Sequence, residues 1–373
     1  MKNRIYKYFF SEFIRYFAVV LFASVAIIWT IQAVNYLDLV TEDGHAFRIY
    51  ILYSLLTVSK VATKLIPFTF LAALILTILK LDKDNELIIL WTAGLNKIHL
   101  VKFIFRISIL IMCVQLIIAT MINPKSLNIS RSLLKNSELQ FVSSLLKERQ
   151  FNDAVRALTI FVDKKNDDGT YENIFIRDDA NTLSQVSQSS TILAKSGYLI
   201  DDGKKLILLN GNIQKMGNDG DISIIKYEET TLNLSGLSTK TISEAKIQET
   251  STRQLVDCML GKKIFEHNCG QDKKSLREYK IELNKRFGMP MFLPLIALTC
   301  CFLLSSRQEK KISGLYQYIY FLIGFLILVS AEITVRYSGV SLIYAAIYYL
   351  IPIGLLPFIY LYLIKTFKYE NLS

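Results

Sequence analysis

The sequence predicts an α-helical membrane protein with six transmembrane helices and an inserted all-β, jelly-roll-like domain. Three features of the 373-residue chain carry that prediction. Six apolar stretches are long enough to cross a bilayer, a water-compatible block separates the third from the fourth, and short alternating segments punctuated by turn signals fill that block. A hydrocarbon core ~30 Å thick needs ~20 apolar helical residues. The stretches Phe13 to Leu37, Ile51 to Leu79, Val101 to Ile122, Phe287 to Leu304, Ile312 to Val335 and Val340 to Ile364 meet that need, the fourth only just. A hydrophobic content of 52% and a mean hydropathy of +0.34 suit a membrane protein with a sizeable polar portion.

The first span is too long, and lacks the small-residue cleavage site, for a removable signal peptide, so a retained anchor is expected. Basic residues in short loops set orientation. Lys2, Arg4, Lys7 and Arg15 precede the first span. Lys80, Lys83, Lys97, Lys102 and Arg106 lie around the second connection, Arg307, Lys310 and Lys311 at the fourth, and Lys365 and Lys368 at the end. The opposite short loops offer Arg48 and Arg336. Both termini are therefore expected in the cytoplasm and the large block outside. The formal charge of +11 follows from this bias, and no nucleic-acid partner is needed to explain it.

Domain limits follow. Residues 1–122 hold the first three spans with a cytoplasmic loop at 80–100, residues 123–275 the exterior domain, and residues 276–373 the last three spans. From Pro124 to Asn152 apolar and charged residues mix at helical intervals, predicting an amphipathic lead-in. Over residues 156–235, ALTIFVDK, YENIFIRD, STILAKSGYLI, KLILLNGNIQKM and DISIIKYEETTLNL alternate as strands do, separated by DDG, DDG and NDG turns. Such strands need a second apolar layer, so a sandwich or jelly roll is expected. Thr239 to Asp272 reads as polar and irregular. Leu276, Tyr279, Leu283 and Phe287 then recur at helical spacing into the fourth span.

No phosphate loop, nucleophile elbow or H-E-x-x-H occurs, so the chain is expected to be no enzyme and to bind no cofactor, any ATP being bound by a partner. His45, His99 and His267 are scattered and no cysteine spacing suggests a metal; Cys258 and Cys269 are exterior, where a disulfide between them and two free thiols are both open. In LDKDNELIILWTAGLNKIHLVKF, Asp82, Asp84 and Glu86 head an apolar run too short to span, Leu87 to Ala93, ended by Gly94. An acidic first turn suits the helix dipole. The segment either docks into a groove of a cytoplasmic partner or simply caps the junction of two spans.

DNELIILWTAGLNKIHLVKF resembles the cytoplasmic loop of the LptF/LptG permeases, which export lipopolysaccharide from the inner membrane of Gram-negative bacteria. NYLDLVTEDGHAF, LIPFTFLAALILTILKL, IIKYEETTLNLS and IELNKRFGMPMFLPLIAL extend the resemblance along nearly the whole chain. NYLDLVTEDG looks closer to LptF than to LptG. The resemblance implies a heterodimer with an LptG-type paralogue on an LptB-type ATPase dimer. It also implies an exterior jelly roll that hands lipopolysaccharide to an LptC-type bridge component. Glu86 matches the acidic residue that engages the ATPase, with Asp84, Leu87 and Gly94 beside it. Lys60 stands where the family often has proline, and Asn96 where serine is usual.

Extracting a multi-acyl lipid costs ~0.8 kcal/mol per exposed CH₂, so a covered apolar path is needed. Ile160, Val162, Ile174 and Ile176 are candidates for it, since strand alternation puts each pair on one face; an ordinary core gives the same pattern. Lys60 and Lys64, one helical turn apart near the exterior interface, are candidates for lipid A phosphates or snorkelling lysines. Glu332 and Arg336 have the spacing of a local ion pair. The rival classes are a membrane-anchored sensor and a MacB-like or lipoprotein-releasing mechanotransmission subunit, although the latter carries its exterior domain after the first span.

Overall fold

The computed structural model describes residues 2–41, 46–136, 146, 148–153, 158–166, 168–179, 189–200, 205–216, 221–234, 247–260, 273–305 and 313–370. The helices are α1 (Lys2–Asn35), α2 (Asp38–Thr41), α3 (Phe47–Lys83), α4 (Glu86–Thr92), α5 (Lys97–Ile117) and α6 (Asn123–Asn136), with a π turn at Ile118–Ile122 joining the last two. Strands β1 (Leu158–Lys165), β2 (Thr170–Asp178), β3 (Ser190–Ile200), β4 (Lys205–Met216) and β5 (Ile222–Asn233) follow. Then come α7 (Thr252–Met259), α8 (Lys273–Cys300), α9 (Ser313–Tyr337) and α10 (Leu342–Glu370). Among the described residues, 6 helices are long and apolar enough to cross a membrane; they contain the first four expected spans and overlap most of the fifth and sixth, whose helices begin one and two residues later than expected. Several overshoot them: α3 has 37 residues, or roughly 55 Å at the α-helical rise.

The chain divides into two compact units, one of Met1–Thr30, Val58–Leu127 and Lys246–Ser373, the other of Ile31–Thr57 and Asn128–Ala245. In the first, α8 is the hub, packing against α5, α7, α9 and α10. Phe292, Leu293, Leu295, Ile296, Ala297, Leu298 and Cys300 are all buried, so this helix is apolar on every side because protein surrounds it. Helix α10 is equally apolar, yet Leu342, Ile343, Leu350, Phe358 and Leu361 are exposed, as on a helix whose outer face meets lipid.

The stretch expected to be irregular contains α7. Its Ser251 side chain caps Gln254 N, and the Gln254 side chain returns to the Ser251 backbone, a reciprocal pair that satisfies two orphan amides. Leu255 and Cys258 bury against Leu276, Tyr279 and Leu283 of α8, while Phe287 of the same predicted stripe is partly exposed. Cys258 is disulfide-bonded; the other member of the expected pair, Cys269, lies outside the described residues. The thiols of Cys113, Cys300 and Cys301 are free.

In the second unit the five strands form one antiparallel sheet in the order β1-β2-β3-β4-β5. This is a meander, and the second layer of the expected sandwich or jelly roll is not among the described residues. Ile160 pairs with Ile176 and Val162 with Ile174, and Ile192 and Ala194 continue the row on β3. All six belong to one core cluster with Leu158, Tyr171, Leu206, Leu208 and Leu232, which Leu146 and Leu234 complete. Asp168 shapes the first hairpin by accepting from Thr170 N and Thr170 Oγ1, and these bonds hold its carboxyl below the ordinary carboxylate range. Helix α6 starts the expected amphipathic lead-in; residues 137–145 of it lie outside the described residues.

Tyr227 of β5 reaches across β4 to donate to Leu193 O at 2.9 Å, and partial burial raises its phenol to about 12. The ring passes over Gly211, where an added Cβ would stand 2.0 Å from Leu193 O and 2.3 Å from Tyr227 Oη. A backbone oxygen cannot yield as a flexible side chain does. Gly211→Ala should therefore weaken the sheet by about 1–3 kcal/mol, read as faster hydrogen exchange along β3, β4 and β5 with the spans unaffected.

Candidate functional site

Two places in the first unit bring chemistry-bearing side chains together. The first is α4. Asn85 takes the left-handed conformation (φ 59), which turns the chain so that Glu86 opens the helix. Tyr8 Oη of α1 donates to Glu86 Oε1 at 2.9 Å, Lys80 Nζ donates to Tyr8 Oη at 3.3 Å, and Lys80 pairs with Glu12 at 3.0 Å. Gly94, at φ +81, ends the turn where a Cβ would be strained. Asn96 then caps α5 by accepting from Ile98 N at 2.9 Å, the same service serine performs.

The four predicted coupling residues are thus together but not equivalent. Asp84 is exposed, Glu86 partly so, and Leu87 points inward, 3% exposed. The outward apolar contacts are Ile88 and Ile89, 54% and 62% exposed. Sequence reasoning missed them, although they lie beyond the single inward position of a two-turn helix.

The second place is a cavity of about 200 Å³ lined by α3, α5, α8, α9 and the segment before α7. Lys60 and Lys64, one turn apart on α3, both line it. Pro67 has no amide hydrogen, so the Thr63 carbonyl one turn earlier lacks its helical donor. Gln115 Nε2 supplies one from α5 at 3.3 Å, leaving Gln115 Oε1 buried without a partner. Ser59 Oγ donates to Asn123 Oδ1 at the start of α6, so a polar seam joins α3 to α5 and α6.

Helix α8 closes the cavity with Arg286, 3% exposed. Its Nε, Nη1 and Nη2 donate to Glu282 Oε1, Thr252 Oγ1 and Gln248 O, each at 3.1 Å. Thr252 Oγ1 also donates to Thr120 O in the π turn at 2.7 Å. The neighbouring Lys285 donates to Glu332 Oε1 of α9. This corrects the expected local pair, because Lys285 reaches Glu332 from the facing helix while Arg336 is exposed. Arg336 instead lines an open groove of about 640 Å³ with Arg277, Phe68, Tyr337 and Glu332. Cavity and groove share Glu332 and Phe68. Ile160, Val162, Ile174 and Ile176 belong to the second unit and are no part of this site. They are 0–2% exposed, packed as an ordinary core packs. Among the described residues no group of acidic, His or Cys side chains is placed to hold a metal ion.

Six helices of membrane-spanning length and apolarity, an inserted β sheet and a cavity lined by four cations and two carboxylates define a polytopic membrane protein. The chain belongs to the lipopolysaccharide export system permease LptF/LptG family, whose description matches residues 7–366. It is also similar to RP871, an uncharacterized protein of Rickettsia prowazekii (strain Madrid E), at 26% identity over 237 residues, or 63% of this chain. The match spans 64% of that relative's length.

Arg286 is the fixed point of the cavity. Arg286→Lys keeps the charge, but its donors share one nitrogen and cannot span acceptors that Nε, Nη1 and Nη2 reach separately. Leaving a buried hydrogen-bonding partner unanswered costs about 1–3 kcal/mol. Residues 247–259 should lose protease protection first, before the spans.

Proposed function

We propose that this chain is the LptF-type permease subunit of an ABC transporter that extracts lipopolysaccharide from the bacterial inner membrane and passes it to a periplasmic bridge. Its termini face the cytoplasm and its β unit the periplasm. It works as a heterodimer with an LptG-type paralogue, on an LptB-type ATPase dimer, and delivers to an LptC-type component. The chain itself catalyses nothing and holds no cofactor; ATP is bound by the partner.

The observation that carries this reading is the cavity. Lys60 lies about 30 Å along α3 from Lys80, the distance across a bilayer core, so cations line a cavity at headgroup depth. Ammonium groups there attract phosphate strongly, whereas acyl chains follow the apolar helix faces. Helix α4 supplies the mechanical joint, with Glu86 as the charged contact and Ile88 and Ile89 as the apolar one. A sensor or mechanotransmission subunit is the second reading, favoured by the closed packing of Ile160, Val162, Ile174 and Ile176.

Purification with native partners, followed by mass spectrometry of bound lipid, separates the two. An exporter retains lipopolysaccharide and releases it on ATP addition, while a sensor shows no ATP-dependent release. Each lysine near an anionic surface contributes about 1 kcal/mol. The double change Lys60→Gln and Lys64→Gln should therefore weaken retention by about 2 kcal/mol, and the two Glu replacements should weaken it further. Retention per folded complex equal to wild type in the Glu form overturns the phosphate role.

Glu86→Ala removes a charge-assisted contact worth about 1.5–3 kcal/mol. The expected result is looser ATPase association, or hydrolysis that continues without lipid release, with membrane insertion unchanged. Wild-type export per ATP consumed would show that α4 only caps the junction of two spans.

A further inference from the structure

Two cations of α8 stand side by side at the cavity in unlike settings. Arg286 is buried and bonded to three acceptors on three elements. Among the described residues Lys285 has one ion-pair partner, Glu332. The two side chains of that pair are 29% and 37% exposed, so the pair is not sealed inside the protein and a ligand can approach it. Arg286 is therefore structural, and Lys285 is exchangeable.

Glu332 has a second property: it lines both the cavity and the adjoining groove. On the groove side stand Arg277 and Arg336, neither with an ion-pair partner among the described residues. On the cavity side stand Lys60, Lys64 and Lys285, with the unpartnered Gln115 Oε1 beside them as an acceptor for a hydroxyl or amide. One carboxylate thus sits at the meeting of two cationic compartments. A planar guanidinium binds a phosphoryl group through two parallel hydrogen bonds, so the Arg277 and Arg336 side is chemically suited to receive the same ligand as the lysine side.

We propose that Glu332 is a resident counter-ion that an incoming phosphoryl headgroup displaces from Lys285, after first meeting Arg277 and Arg336 in the groove. The inference rests on the lipid-export reading and adds a regulating residue to it. The carboxylate keeps Lys285 neutralised while the site is empty. When a phosphate takes Lys285, Glu332 swings towards the groove arginines. Return of Glu332 to Lys285 competes with the lipid and assists its release. No bond is made or broken; two ion pairs exchange partners.

The test uses the full chain with its co-purifying partners in nanodiscs, and measures retention and dissociation of bisphosphorylated lipid A. Glu332→Gln removes the competitor and should raise retention roughly two- to fivefold, the worth of a partly exposed ion pair, with slower dissociation. The gain should vanish in the double variant Glu332→Gln with Lys285→Gln, and with lipid A stripped of its phosphates. Arg336→Gln alone should slow association without the same effect on dissociation. If the Gln form fails to assemble, Glu332→Asp keeps the charge on a shorter arm and should raise retention in the same direction by less.

Wild-type retention in both Glu332 variants, while the Lys60 and Lys64 variants lose lipid, overturns this proposal and leaves the export reading standing. A Lys285-dependent gain with normal retention in the Lys60 and Lys64 variants has the opposite meaning: the exchange stands and those lysines are not the phosphate contact. An equal gain for phosphatidylglycerol, or displacement by inorganic phosphate alone, assigns the anion to that source and overturns lipid A as the ligand.

Discussion

A guanidinium placed midway along the most buried of the long helices must be answered inside the protein. Arg286 is 3% exposed, and the penalty for an unanswered charge in low dielectric is several kcal/mol. Its three donors recruit an acceptor one turn back on α8, a carbonyl from the segment before α7, and the Thr252 hydroxyl. That hydroxyl passes the connection on to the π turn. The cavity wall is therefore set by one charge and its acceptors, and the position of α7 against α8 follows from it, with Leu255 and Cys258 filling the apolar space beside Tyr279.

The same rule, applied to backbone groups, explains the seam between α3 and α5. In hydrocarbon every carbonyl needs a donor from within the protein. Pro67 withholds one, and Gln115 provides it. Many span hydroxyls are satisfied by their own helix, as Thr77 is by Ala73 O and Thr299 by Ile296 O. A second interhelical set centres on Asn284 of α8, which donates to Ser338 Oγ at 3.0 Å and accepts from Tyr349 Oη of α10 at 3.2 Å. At the other end of α3 the Glu12, Lys80, Tyr8 and Glu86 chain performs a comparable service for α4. There the groups are more exposed, so the tie is looser and more easily traded for an external partner.

The spans, the inserted sheet and its hydrophobic face were legible because they rest on periodicity, which is local. So was the short helix opened by Glu86. Ion-pair partners were not, because they depend on which helix faces which. The i, i+4 spacing favoured Arg336 for Glu332, and the lysine that reaches it is 47 positions away. The role of Tyr8 and the π turn at Ile118–Ile122 carry no local signal of their own. Helix α7 was legible in principle, since Ser251 and Gln254 have capping-box spacing, but the polar composition around it hid the pattern. Among the described residues the strands form a single meander; alternation reports that one face of a strand is covered, not what covers it.

Strand order in the sheet equals chain order. Each strand pairs with the one made just before it, and the short bridges from Glu148 and Asn152 to β1 are local too. Loop-closure entropy is correspondingly small at each step. A chain that emerges from the ribosome N-terminus first can therefore add this sheet hairpin by hairpin, with no early ladder left waiting for a distant segment. For a β unit flanked by membrane helices, whose two ends reach their final surroundings at different times, that order of growth limits how long an unpaired apolar strand edge is open to the wrong partner.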